Sequence, residues 1–275
     1  MSLHISQVPA QRGAAWVRES FGLFFKSPLG FSLTFMLFLL AALILMALPF
    51  VGALLLLAAM PLLTLGFAAA TRAAQRGHAA HAGLLFEPFK RTADAQRRNV
   101  LLRLCVLYAV ATALVMLLAQ ALDGGGFERL QILFAAERSD ANKAQIDALL
   151  ADPRLAGGMF LRVTLLAALS VPFWHAPMLV WWNGQGLAQS LFSSTLACWR
   201  NRSAFLVNML VWVGISMAFG VVASVIIALL GAPQLIAVVV PPVVLVFSVV
   251  FYVSLYLMYA DCFAQAQTPI RQSSS

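Results

Sequence analysis

Four stretches of this chain contain no Lys, Arg, Asp or Glu: between Lys26 and Arg72, Arg103 and Asp123, Arg162 and Arg200, and Arg202 and Asp261. A helix that crosses the hydrocarbon core of a bilayer needs roughly 20 apolar residues. The second stretch fits one such helix, and the other three are too long for a single span. Composition agrees, with 62% apolar and 10% charged residues, where soluble domains carry about 25% charged. The apolar residues come in long blocks of Leu, Ala, Val and Phe, so a low-complexity chain is excluded. What remains is an integral membrane protein.

The fold expected is all-α, a polytopic membrane helical bundle. Six transmembrane helices form three hairpins with interfacial lead-in helices, in one membrane domain over 1–275. Proline and glycine punctuate helices and place the breaks. Pro49-Phe50-Val51-Gly52 is a tight turn, Gly124-Gly125-Gly126 follows Asp123, and Gly231-Ala232-Pro233 splits the last block. The expected spans are 29–48, 50–70, 100–122, 161–182, 204–230 and 235–259. Pro61 predicts a kink near Leu57, and the Glu87-Pro88 pair opens a short surface helix in the basic loop 71–99. Loop 123–160 is the one sizeable polar insertion. Its apolar spacing predicts two short amphipathic helices over 127–152, with Ser139 or Asp140 as the cap between them.

Residues 10–26 predict an amphipathic helix. Trp16, Val17, Ser20, Phe21, Phe24 and Phe25 share one side, and Arg12, Arg18, Glu19 and Lys26 the other. Such a helix lies flat in the interface plane or packs over the ends of other spans. Leu187 to Trp199 resembles a second interfacial helix, with Leu191, Phe192, Leu196 and Trp199 on one side. The two regions echo each other, because Ser20, Phe25-Lys26-Ser27 and Phe31 match Ser194, Trp199-Arg200-Asn201 and Phe205. Arg98-Asn99 before the third span is a fainter echo. Every even-numbered span carries proline: Pro61, Pro177 and Pro241-Pro242. The pattern suits three repeated hairpins, or equally a shared need for a cation, a cap and aromatic anchors at one membrane boundary.

The net charge of +8 does not indicate nucleic acid, because the cations sit beside the apolar blocks, where lipid phosphates lie. With six spans, one face collects thirteen of the eighteen Lys and Arg, and loop 123–162 holds the other five beside six carboxylates. The positive-inside rule puts the first face, and with it both termini, in the cytoplasm. Arg outnumbers Lys fifteen to three in an Ala-rich chain, the bias of a GC-rich bacterial genome. The expected location is therefore a bacterial inner membrane. The first apolar run is long enough to span and is followed at once by another, so no cleaved signal peptide is expected. None of Cys105, Cys198 and Cys262 falls in the polar loop, so no disulfide framework is expected.

Three segments carry a family likeness: Trp16…Phe21…Phe25-Lys26-Ser27-Pro28, then Arg72…Gly77…Leu85-Phe86…Phe89-Lys90, then Tyr256…Tyr259-Ala260-Asp261-Cys262-Phe263. In these the chain resembles a six-span family of uncharacterised bacterial integral membrane proteins, those grouped as domains of unknown function. The resemblance implies the same topology and no particular chemistry.

An ionisable residue at membrane depth is the default pointer to a site. His175 is that residue, between Pro172 and Pro177. It is a candidate for a proton relay or ligand contact, or else a neutral ring bonded to a carbonyl freed by the prolines. His78 and His81 stand three apart in a soft basic loop, as solvated residues do. Asn183-Gly184-Gln185-Gly186 has glycine spacing but no preceding strand, so it reads as a turn and not a phosphate cradle. The sequence contains no Ser-His-Asp set, metal cluster or Walker loop. The reading is thus a non-enzymatic scaffold or accessory protein without catalytic, metal or cofactor residues. It contacts the lipid bilayer, and a protein partner through loop 127–152. The alternative is a small transporter or channel for a neutral or lipid-like substrate.

Overall fold

The computed structural model describes residues 4–49, 51–90, 93–136, 140–232 and 235–263. Ser139, the side chain of Asp140 and the tail 264–275 lie outside the described residues. Among those described there are eleven α-helices, one 3-10 helix and no strand. In chain order the α-helices are α1 (Arg12–Lys26), α2 (Pro28–Met46), α3 (Gly52–Gln75), α4 (Ala95–Asp123), α5 (Gly126–Ala135), α6 (Asp140–Leu150), α7 (Pro153–Phe173), α8 (Ala176–Asn183), α9 (Leu187–Arg200), α10 (Arg202–Leu230) and α11 (Leu235–Cys262). Six helical stretches are long and apolar enough to span: α2, α3, α4, α7 with α8, α10 and α11. The fold is an all-α polytopic bundle.

One local reading changes. The 3-10 helix covers Ala82–Phe89 and ends at Glu87-Pro88-Phe89 instead of opening there. Proline lacks an N–H and is tolerated late in so short a helix only because the next segment is extended, with Lys90 at ψ 147°. Helix α3 runs from Gly52 to Gln75 with Pro61 inside it, and a break falls at Trp174-His175, between α7 and α8.

The core is built mainly from α3, α8 and the C-terminal half of α11. Helix α3 buries Leu63, Leu65, Phe67, Ala68 and Ala70, α8 buries nearly every residue from Ala176 to Trp181, and α11 buries most of Val249 to Cys262. By contrast α10, 29 residues long, buries only Ala204, Asn208 and Trp212. Its Leu206, Leu210, Val213, Met217 and Val221 are exposed, which costs nothing where lipid tails are the solvent.

The lead-in helices pack in a cyclic order. The 3-10 helix before the second hairpin lies on α2 and α3, and α9 before the third lies on α7 and α8. Helix α1, before the first hairpin, lies on α10 and α11 of the third and closes the ring. Of the two settings open to α1, the packed one is observed. Trp16, Val17, Ser20 and Phe24 are buried, and the Phe21 ring meets both Trp212 and Phe247, bridging α10 to α11. Glycine permits the approach: a Cβ on Gly13 would stand 2.1 Å from the Ala204 carbonyl oxygen. Gly66 plays the same part under the 3-10 helix, where a Cβ would lie 2.3 Å from Leu85. Helix α9 presents small residues, Ser190, Ser194 and Ala197, to α7 and α8. Its Phe192 and Trp199 are 69% and 68% exposed and point outward, as an interfacial helix requires.

Candidate functional site on the basic face

The C-terminal ends of all three even spans meet at the basic face. There they and the loop after α3 enclose a cavity of about 840 Å³. Helix α3 contributes Arg72 and, just beyond its end, Arg76; α8 contributes Trp181, Trp182 and Asn183; α11 contributes Tyr256, Tyr259 and Ala260. The remaining wall is Leu84, Glu87 and Lys90 from the 3-10 helix and the residue after it, then Ala93, Asp94 and Arg97 at the start of α4.

Local rules place these groups. Helix α8 ends because Gly184 takes φ +66°, a left-handed value glycine adopts freely, and its N–H returns to the Val180 carbonyl. The Asn183-Gly184-Gln185-Gly186 stretch is thus a turn. Asp94 caps α4, its carboxylate accepting from the Gln96 and Arg97 amides and pairing with the Arg97 side chain at 3.3 Å. Arg97 also donates to the Trp181 carbonyl at 2.9 Å, joining α4 to the end of α8. The Arg72 guanidinium stands 5.0 Å above the Trp182 ring. Trp182 meets Tyr256 and Tyr259, and the Tyr259 hydroxyl donates to the Asn183 side chain. The result is an aromatic wall facing a ring of cations.

His175 lies directly behind that wall. It is fully buried, with Tyr259, Phe263 and Phe205 as ring neighbours. Neither ring nitrogen has a hydrogen-bond partner among the described residues. The ring thus bonds to no described carbonyl, and it is the main chain at the break that is bridged. Ser194 of α9 donates its hydroxyl to the Val171 carbonyl at 2.9 Å and accepts the His175 amide at 3.0 Å. His78 and His81 are both exposed, and no cluster of metal-ligating side chains occurs among the described residues.

Two charged seats complete the picture. On the basic face Asp261 accepts from Arg12 and from the Trp16 indole, both at 2.8 Å, pinning α1 to α11. Burial works against the Arg12 charge, but its bonds to Glu19 and Asp261 outweigh this and raise its pKa. On the opposite face Asp123 and Arg162 pair at 3.1 Å, both buried, with Phe127 4.2 Å beneath the guanidinium.

In the sequence Arg72, Arg76, Lys90 and Arg97 fall in the basic loop 71–99, and Trp181, Trp182, Tyr256 and Tyr259 fall at the ends of the expected spans 161–182 and 235–259. Both signals were present, but nothing local said that they converge on one cavity.

Against known proteins, the chain is 29% identical over 261 residues to a protein of Burkholderia thailandensis named as a probable inner membrane protein. The alignment covers 95% of this chain and 94% of that relative. No family model matches, and no solved structure matches. With six apolar helices and an inner membrane protein similar to it from end to end, the chain is a multi-pass protein of the bacterial inner membrane.

Proposed function

We propose that the protein is a non-enzymatic accessory protein that holds a membrane lipid in the basic-face cavity, with that cavity and both termini on the cytoplasmic side. The cavity carries the reading. Its volume of about 840 Å³ falls in the range typical of ligand sites, roughly 300–1,000 Å³. Aromatic rings suited to an apolar body and cations suited to a headgroup line it together, the pair of features that lipids meet at a membrane boundary. On the far face, Ile132 and Phe134 of α5 are exposed, which supports a protein contact through residues 127–152.

The test is to extract the full chain in native-lipid discs, exchange it into detergent and weigh it intact. One retained lipid is expected, absent from Ala260→Trp, whose indole fills the cavity from α11. A wild-type chain that keeps no lipid, or a variant that keeps it equally, sinks the proposal.

A second reading, a small transporter for a lipid-like substrate, is favoured by one observation. A cleft of about 150 Å³ lies deeper, lined by Pro61, Thr64, Tyr108, Ser170 and Tyr252. Proline-bearing spans beside a small, mostly apolar cleft suit a carrier for a lipid-like substrate. Reconstituted vesicles decide between the two. If a fluorescent short-chain lipid crosses them faster than protein-free vesicles, transport replaces the accessory role.

A further inference from the structure

We infer that the ligand of this cavity carries a phosphate anion, bound by Arg72, Arg76 and Lys90 while Trp182 and Tyr256 cover the part beside it. The inference rests on the lipid-holding reading above and names the chemistry of the group held. Four cations and two carboxylates line the cavity, a net charge of +2. Arg97 and Asp94 cancel each other, and both are committed to the architecture of α4 and α8. That leaves Arg72, Arg76 and Lys90 facing Glu87 alone. Among the described residues, none of the three has an ion-pair partner, and Arg72 is held in place by the Trp182 ring.

Helix C-termini attract cations in their own right, so that explanation has to be met. Near the ends of α3 and α8 four carbonyls are satisfied by main chain, and the Trp181 carbonyl is taken by Arg97. Those of Ala73 and Ala74 accept from Arg76, Gly77 and His78, and those of Leu179 and Val180 from Gln185 and Gly184. Among the described residues, no side-chain hydrogen bond ties Arg76 to them. The guanidinium groups therefore keep their planar donor forks free, a geometry that fits phosphate oxygens two at a time. Lys90 adds a point charge from across the cavity. A neutral headgroup would leave three cations unanswered in a partly enclosed space, whereas a phosphate answers them. Glu87 opposes the anion, and the surrounding excess of positive charge offsets it.

Phosphate reaches this boundary as a lipid headgroup or as a soluble ion, and one titration separates the sources. The full chain in maltoside micelles is titrated with short-chain phosphatidylglycerol, short-chain diacylglycerol and inorganic phosphate. Tryptophan emission is the readout, because Trp181 and Trp182 line the cavity. Phosphatidylglycerol should bind about 100-fold more tightly than diacylglycerol. The variant Arg72→Gln/Arg76→Gln/Lys90→Gln should lose that advantage, since each cation at this boundary contributes roughly fivefold. If the triple variant does not fold, Arg76→Gln/Lys90→Gln, at two exposed positions, should still lose about 30-fold. Equal binding of the two lipids by wild type overturns the phosphate assignment and leaves the lipid reading standing. Phosphate alone binding, with neither lipid, upholds the anion site and removes the lipid reading. No binding of any of the three overturns both.

Discussion

Replacing Ser194 with Ala leaves the Val171 carbonyl and the His175 amide without their shared partner at the break between α7 and α8. An unsatisfied buried group costs about 1–3 kcal/mol, and interhelical bonds within membranes average nearer 0.6 kcal/mol. A loss of about 1 kcal/mol is therefore expected, read as a lower unfolding midpoint in detergent, with Ser194→Cys intermediate. The same neighbourhood protects Cys198. Burial raises its thiol pKa to about 12, so the group stays protonated and unreactive at neutral pH and gains thiolate only as pH approaches that value. All three cysteines are buried. An impermeant maleimide at pH 7.5 should label none in the folded chain and all three after denaturation. Labelling of Cys198 in the native protein would show α9 detached from its seat. Asp261 is a third residue to test. Asp261→Ala leaves the Trp16 indole without its partner and Arg12 with Glu19 alone, and about 2 kcal/mol of stability should go with hydrogen bonds to a charged group.

Gly13 decides how closely α1 approaches α10. Gly13→Leu would drive side-chain carbon into the Ala204 carbonyl and the Asn208 amide, and overpacking of that kind costs about 1–3 kcal/mol. The expected signature is earlier proteolysis of the α1 segment with the remaining helices intact. Helix existence was plain in the sequence, because charge-free blocks and Gly/Pro turns are local signals. The amphipathic face of 10–26 was plain too, but the Ser20 and Ser194 echo said nothing of packing. Both serines are fully buried, Ser20 bonding to the Trp16 carbonyl within its own helix and Ser194 across to α7. What each lead-in helix packs against could not be read, since that depends on contacts with another hairpin. His175 shows the same limit. Its burial was legible, but its ring bonds to no described carbonyl, and the break beside it is bridged by Ser194, about twenty residues along the chain.

At the scale of the whole molecule, charge separates two faces. Both lipid and partner readings depend on which face meets the cytoplasm. Single cysteines in loop 127–152 should react with an impermeant maleimide from the periplasmic side, and ones near His78 only after the membrane is opened. The reverse pattern would turn the molecule over and move the cavity to the outer leaflet. The cavity escaped the sequence reading because residues 72, 90, 181 and 259 lie far apart in the chain. Each is accounted for locally by lipid anchoring, so no one position stands out.

The seat of α1 also sets an order of synthesis. Its partners, from Arg202 on, leave the ribosome long after it does, on the order of ten seconds or more at bacterial elongation rates. For that interval Trp16, Phe21 and Phe24 have no helix to rest on, and the amphipathic segment must shelter in the membrane surface. A chain that stops before α10 never releases it from there. Damage to the C-terminal third would therefore surface first at the N-terminus, as a newly cleavable first helix.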